Sequence, residues 1–156
     1  MTIQHLGKTD LELFRELVRL FERVFDETGQ DVPLEGLLEN PAFITYAAID
    51  QGKVWGGLTA YVLPSYHHSR PEVFLYDLAI DPDHQREGLG TRLIDALREH
   101  SRREGLGEVF VAAHERDKTA LEFYRATGGR EEKVVHFTYS SGDPLEQEIA
   151  AANMGD

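Results

Sequence analysis

Between residues 43 and 80 three apolar runs rich in β-branched and aromatic residues follow one another with no helix between them. Phe43–Ile49 and Val54–Leu63 flank Asp50-Gln51-Gly52-Lys53, a composition that suits a hairpin loop. Polar residues from Pro64 to Pro71 lead to a third run, Val73–Ile80, which Asp81-Pro82-Asp83 breaks. Upstream, residues 2–6 fit a short opening strand. From Asp10 onward Phe14, Leu17, Val18, Phe21, Val24 and Phe25 recur at helical spacing, with Thr9 or Asp10 as cap and Gly29 just past the end. Pro33 to Asn40 suggests a second short helix. Downstream, Leu89, Leu93, Ile94 and Leu97 line one face of a helix that begins near Gly88 and ends before Gly105. Val109–Ala113 reads as a short buried strand and Asp117–Thr127 as a helix carrying Leu121 and Tyr124. Val134–Tyr139 reads as a last strand, and the polar tail from Ser140 as a loosely held helix or coil. The order β-αα-βββ-α-β-α-β predicts an α+β fold, a mixed β-sheet flanked by helices. Three consecutive strands argue against a doubly wound dinucleotide-binding domain, which alternates strand and helix.

The 156 residues suit a single domain spanning 1–156, with the tail 140–156 peripheral. No apolar stretch approaches the ~20 residues that span a bilayer. Met1-Thr2-Ile3-Gln4-His5 lacks the basic and apolar regions of a signal peptide, so a cytoplasmic protein with no membrane partner is expected. With no cysteine, disulfides, thiolate metal sites and a cysteine acyl-enzyme are excluded. Sixteen Lys+Arg against 28 Asp+Glu give a net charge of −12. Such a surface repels nucleic acid and favours a polycationic substrate. His67-His68 are adjacent in the Pro64–Pro71 loop, which itself contains no carboxylate, and no metal is expected there.

The chemistry centres on His84-Gln85-Arg86-Glu87-Gly88-Leu89-Gly90, between the third strand and a helix. A pyrophosphate needs several converging backbone N–H donors, and a helix N-terminus supplies them with the positive end of its dipole. Gly88 and Gly90 would remove the Cβ atoms that block close approach, and Arg86 adds charge. A Gln-x-x-Gly-x-Gly run alone carries little weight. Its setting and a second segment, Ala120-Leu121-Glu122-Phe123-Tyr124-Arg125-Ala126-Thr127-Gly128, raise it.

With both segments in this order, the chain resembles the GCN5-related N-acetyltransferase (GNAT) superfamily. The resemblance implies an acetyl-CoA-dependent enzyme without a metal. Gln85, Arg86, Glu87, Gly88, Leu89, Gly90 and Thr91 would hold the pyrophosphate, and the backbone of Leu78, Ala79 and Ile80 would pair with the pantetheine arm. Tyr124 would lie near the sulfur, where its neutral phenol can protonate the departing thiolate.

A narrower likeness runs over roughly residues 40 to 140. Ala60-Tyr61-Val62-Leu63-Pro64, Arg70, Glu72, Tyr76-Asp77-Leu78-Ala79-Ile80, Arg130-Glu131-Glu132 and His136-Phe137 resemble the aminoglycoside 3-N-acetyltransferases of the gentamicin-resistance type. This implies acetylation of the 3-amino group by direct attack in a ternary complex, antibiotic resistance, and a homodimer. Asp77 would act as base and substrate anchor, since a carboxylate in an apolar strand is expensive without a specific partner. Tyr76 is expected to point to the opposite face by strand alternation. Glu72, Tyr76, Glu115, Asp117 and His136 are further substrate-binding candidates. His114 and Lys118 stand where acids are expected. Other acceptors are a different small polyamine or a protein N-terminus, and a non-catalytic acyl-CoA sensor is a third class of reading.

Overall fold

The computed structural model describes residues 1–29, 31–146, 148 and 151. Five strands form one sheet: β1 (Thr2–His5), β2 (Phe43–Asp50), β3 (Lys53–Leu63), β4 (Glu72–Ile80) and β5 (Val109–Phe110), in that spatial order. The first four are antiparallel neighbours, and β5 joins β4 in parallel. The helices are α1 (Leu11–Phe25), α2 (Glu35–Glu39), α3 (Leu89–Arg103) and α4 (Lys118–Ala126). The mixed sheet flanked by helices is the architecture that the strand–helix order predicts.

Each face of the sheet has its own core. The 3.6-residue period of α1 turns Phe14, Leu17, Leu20 and Phe21 onto Phe43, Ala47, Val54 and Ala79. On the other face α3 packs Leu93 and Leu97 against Ile44, Leu58, Ala60, Val73 and Leu75. Burying each such large side chain contributes roughly 1.5–3 kcal/mol. Gly57 brings α1 close to β3. A Cβ there would stand 2.5 Å from Leu17 Cδ1 and 2.6 Å from the Tyr46 carbonyl oxygen.

Four expectations change. The first helix ends at Asp26, in the left-handed region at φ 52°, its N–H bonding the Glu22 carbonyl, and not at Gly29. Asp10 occupies the N-cap position, but its carboxylate accepts the Gly7 N–H at 2.8 Å instead of capping the helix. The fourth apolar run shortens to Val109–Phe110, because only these residues pair with β4. Val134–Tyr139 is not a strand. A strand needs a neighbouring edge to take its backbone groups, and the two-residue β5 offers almost none. Val134, Val135, Phe137 and Tyr139 are left 74–90% exposed. Of the tail expected to be loosely held, residues 147, 149–150 and 152–156 lie outside the described residues.

Candidate active site

The site is organised by an irregularity in β4. Thr59 of β3 pairs with Asp77, yet the next residue, Ala60, pairs with Leu75, so Tyr76 is an extra residue on its strand. This is a β-bulge, and it changes the phase of β4. Before it Val73 and Leu75 face α3; after it Leu78 and Ile80 pack on that same side, while Ala79 joins the α1 core. Strict alternation would send Tyr76 and Asp77 to opposite faces. The bulge instead puts both on the α1 face: Tyr76 touches Tyr61 (centroids 5.7 Å apart), and Asp77 bonds Thr59, two residues earlier on the same strand.

Asp77 is half-buried, and Thr59 Oγ1 donates to its Oδ2 at 3.0 Å. Burial pushes its carboxyl above the ordinary value of 3.8, opposed by the Thr59 bond. A base beside an amine gains from such a shift, because its affinity for a proton rises towards working pH. Around it lies an aromatic patch. Tyr76 meets Phe74 edge-on at 5.7 Å, Phe74 stacks on Phe110 at 4.9 Å, and Tyr61 meets Phe43 at 5.3 Å. Tyr76 is 61% exposed, so an aromatic surface stands open beside the carboxylate.

Beyond this point β4 loses its neighbour. Pairing with β5 stops at Val73↔Val109 and Phe74↔Phe110, so no described strand lies beside Leu78–Ile80 on that edge. Tyr124 of α4, like Leu78, Ile80 and Val111, packs against the core cluster on the α3 face. Burial raises its phenol above the ordinary value of 10.0, with the Asp117 and Asp77 charges adding to the effect. It is therefore a proton donor at neutral pH.

The loop that follows β4 is braced at several points. The Asp81 N–H donates to the Trp55 carbonyl at 2.8 Å. Its buried carboxylate accepts the Asp83 N–H at 3.0 Å and Arg23 Nη2 of α1 at 2.7 Å, and these hold it below the usual carboxylate range. Gln85 Nε2 reaches back to the Ile80 carbonyl at 3.3 Å, and His84 Nδ1 pairs with Glu87 at 3.1 Å. Arg86 at φ 64° and Gly88 at φ 79° both have positive φ, a feature of the turns from which anion-binding nests are built. The first ladder bond of α3 runs from the Arg92 N–H to the Gly88 carbonyl, so the N–H groups of Leu89, Gly90 and Thr91 precede the ladder.

The two glycines serve different ends. Gly88 is required by its positive φ, and a Cβ there meets nothing within 4 Å, which leaves the approach open. At Gly90 a Cβ would stand 2.9 Å from the Phe123 ring of α4. Its smallness therefore lets the helix that carries Tyr124 sit close.

The other candidates are dispersed. Asp117 caps α4, accepting the Ala120 N–H at 3.0 Å, and its charge is felt at Tyr124. Glu72 lies at the far end of β4, paired with His68 at 2.9 Å in an open cleft it shares with Glu108 and Glu132. Glu115 is exposed beside His114, Arg116 and Lys118. Glu131 is held by Arg125 at 2.8 Å. His136 is exposed on the unpaired 134–139 segment, not packed as a strand residue. Thr59, Tyr61 and Phe123 complete the site; Tyr61 and Phe123 fall inside segments that carry the resemblance without being singled out there, and nothing marks Thr59. Thr59 and Tyr61 sit among ordinary strand formers.

An open strand edge, a braced turn with amides that precede the ladder at a helix start, and a half-buried phenol are features that would suit a phosphate-bearing extended ligand. Residues 11–128 match the acetyltransferase (GNAT) family, and the chain belongs to that family. An aminoglycoside acetyltransferase, meta-AAC0020, from an uncultured soil metagenomic sample is similar in structure. Its complex with trehalose superposes with a TM-score of 0.85 at 42% identity, over 89% of this chain and 95% of that one. Its complex with sisomicin gives 0.85 at 41%, with the same coverage. The fold is also that of the aminoglycoside N-acetyltransferase AAC(6')-Iy bound to a bisubstrate analogue (TM-score 0.77, 23% identity, 89% and 97% of the two chains). Among curated relatives, the ribosomal protein bS18-alanine N-acetyltransferase of Escherichia coli K12 is 28% identical over 81 residues, 52% of this chain. The match spans about half of that relative's length. No described helix is long and apolar enough to cross a membrane.

Proposed function

We propose that this acetyltransferase transfers the acetyl group of acetyl-CoA to the 3-amino group of an aminoglycoside, by direct attack in a ternary complex, and so gives antibiotic resistance. The observation that carries the proposal is the bulge that brings Asp77 and the exposed Tyr76 onto one face, beside the open edge of β4. The acceptor class also draws support from the sisomicin-bound neighbour at 41% identity and from the net charge of −12, which suits a polycation. The 3-position rests on the likeness of residues 40–140 to the 3-N-acetyltransferases.

The cradle fits the donor: left-handed Arg86 and Gly88 and the free space at Gly88 leave the amides of residues 86–91 open to a pyrophosphate. The unpartnered edge at Leu78–Ile80 would take the pantetheine arm as an added strand. When bound, acetyl-CoA supplies an activated thioester carbonyl. Asp77 takes a proton from the acceptor ammonium group and frees its lone pair. The freed nitrogen would bond to the thioester carbonyl carbon, and the carbon–sulfur bond would break as Tyr124 gives its proton to the departing sulfur. The nitrogen's second proton would leave and restore the phenol. The aromatic surface of Tyr76 and Tyr61 receives an ammonium-bearing ring through cation–π attraction. We also infer that the enzyme is a homodimer joined through the exposed 134–139 segments, which no part of the same chain covers among the described residues.

The test is release of free CoA thiol with a panel of aminoglycosides, polyamines and an alanine-initiated peptide, followed by locating the acetyl group on the product. Turnover of sisomicin with acetyl on the 3-nitrogen is the expected result. Acetyl on another nitrogen would overturn the position and leave the acceptor class intact. Preference for spermidine or the peptide would overturn the class, and binding of acetyl-CoA without thiol release from any amine would point to a sensor.

A further inference from the structure

We infer that Thr59 is a positioning residue for acetyl transfer: its hydroxyl holds one oxygen of Asp77 so that the other faces the acceptor amine. The inference rests on the reading of Asp77 as base. Thr59 lies directly opposite Asp77 in the β3–β4 register and is only 6% exposed. Its Oγ1 donates to Asp77 Oδ2 at 3.0 Å, the one hydrogen bond to that carboxylate among the described residues. Valine would serve a strand equally well here, and a buried hydroxyl is costly without a partner. The hydroxyl is therefore explained by what it binds. A β-branched side chain is also stiff at χ1, so the donor stays in place.

The bulge makes this bond necessary. Asp77 sits where the ladder is locally disrupted, and nothing else described ties its side chain down. The titratable groups that face it are phenols: Tyr61 from β3, Tyr124 from α4, and Tyr76 beside it on β4. Among the described residues no cation offsets its burial, and only Thr59 lowers its affinity for protons. In the step served, an N–H bond of the substrate ammonium breaks, its proton passes to the free Asp77 oxygen, and the lone pair remains on nitrogen.

Thr59→Val and Thr59→Ser test the inference, with acetyl-CoA and sisomicin as substrates. In Thr59→Val, kcat should fall about tenfold near neutral pH while KM for acetyl-CoA stays unchanged. The acidic limb of the kcat/KM profile should move up by roughly one pH unit or more, because a charge-assisted hydrogen bond to the ionised form is lost. Thr59→Ser should restore both. A Thr59→Val enzyme with an unmoved limb would overturn the inference, whether or not kcat falls, since a purely structural role predicts no shift. If the valine variant misfolds, Thr59→Ala takes its place. The titration of a carbon-13-labelled Asp77 carboxyl by NMR reads the same shift without any acceptor. Loss of activity in Asp77→Asn with a normal Thr59→Val profile sinks this inference alone, whereas a fully active Asp77→Asn sinks the base reading beneath it.

Discussion

Asp77 is asked to do something that folding opposes. Its carboxyl is raised by burial, so in the folded chain the ionised form is disfavoured relative to the unfolded chain. For an acid shifted this way, the folded state holds the extra proton at low pH, and stability is lost as pH rises through the folded value. Asp77→Asn should therefore lose most turnover, keep its affinity for acetyl-CoA, and melt at a higher temperature than the parent at pH 7.5. The gain should shrink towards pH 4. A calorimetric scan at both pH values checks the sign, and a lower melting temperature for the variant at pH 7.5 would refute it. Tyr124 makes a separate demand. With its phenol held protonated, Tyr124→Phe should reduce kcat about a hundredfold through loss of the acid while leaving KM for acetyl-CoA unchanged. Steady-state kinetics decides between this and a packing role, in which Phe would be harmless.

At the scale of elements, β1, β2 and α3 meet in a cluster apart from the site. Tyr46 OH lies 3.0 Å from His100 Nδ1, and the His5 ring is 5.0 Å from both Tyr46 and His100. Burial depresses both histidines; His5 adds to this at His100 and Arg103 at both, while Glu104 resists at both and Asp10 at His5. As pH falls through the ordinary histidine range near 6.5, the unfolded chain takes up protons before the folded one does. Stability from this junction is thus full above that range and declines below it. A His5→Gln/His100→Gln chain should show a smaller drop in melting temperature between about pH 7.5 and 5.5 than the parent does. Equal drops would exclude the pair as the source.

Periodicity carried the elements well where neighbours in sequence decide the outcome. The apolar stripe of α1, the three central strands and the glycine-punctuated start of α3 all appear. What periodicity cannot carry is registry between strands. Every residue from Phe74 to Ile80 is compatible with an unbroken strand except Asp77, so the bulge at Tyr76 leaves no local mark. The same limit hid Thr59, whose partner is 18 residues away. Gly90 was legible as a glycine in a motif, but its reason lies in Phe123, on another helix.

For the whole molecule, the open question of form is what covers Val134, Val135, Phe137 and Tyr139. Their composition reads as a strand, and a strand without an edge is half a structure. In the proposed homodimer a second copy would supply the missing half. Sedimentation velocity should find a dimer, and Val135→Asp/Phe137→Asp, which charges one face of the segment, should yield a monomer. A monomeric parent chain would rule the arrangement out.

The contact between Gly90 and Phe123 has a consequence for how such a chain can vary over time. Any side chain at position 90 must push the Phe123 ring aside, and Phe123 precedes Tyr124 on a nine-residue helix. A side chain at position 90 therefore calls for a smaller one at position 123. A library that randomises the cofactor turn while holding the distant ring constant would discard workable turns for a reason that lies on α4.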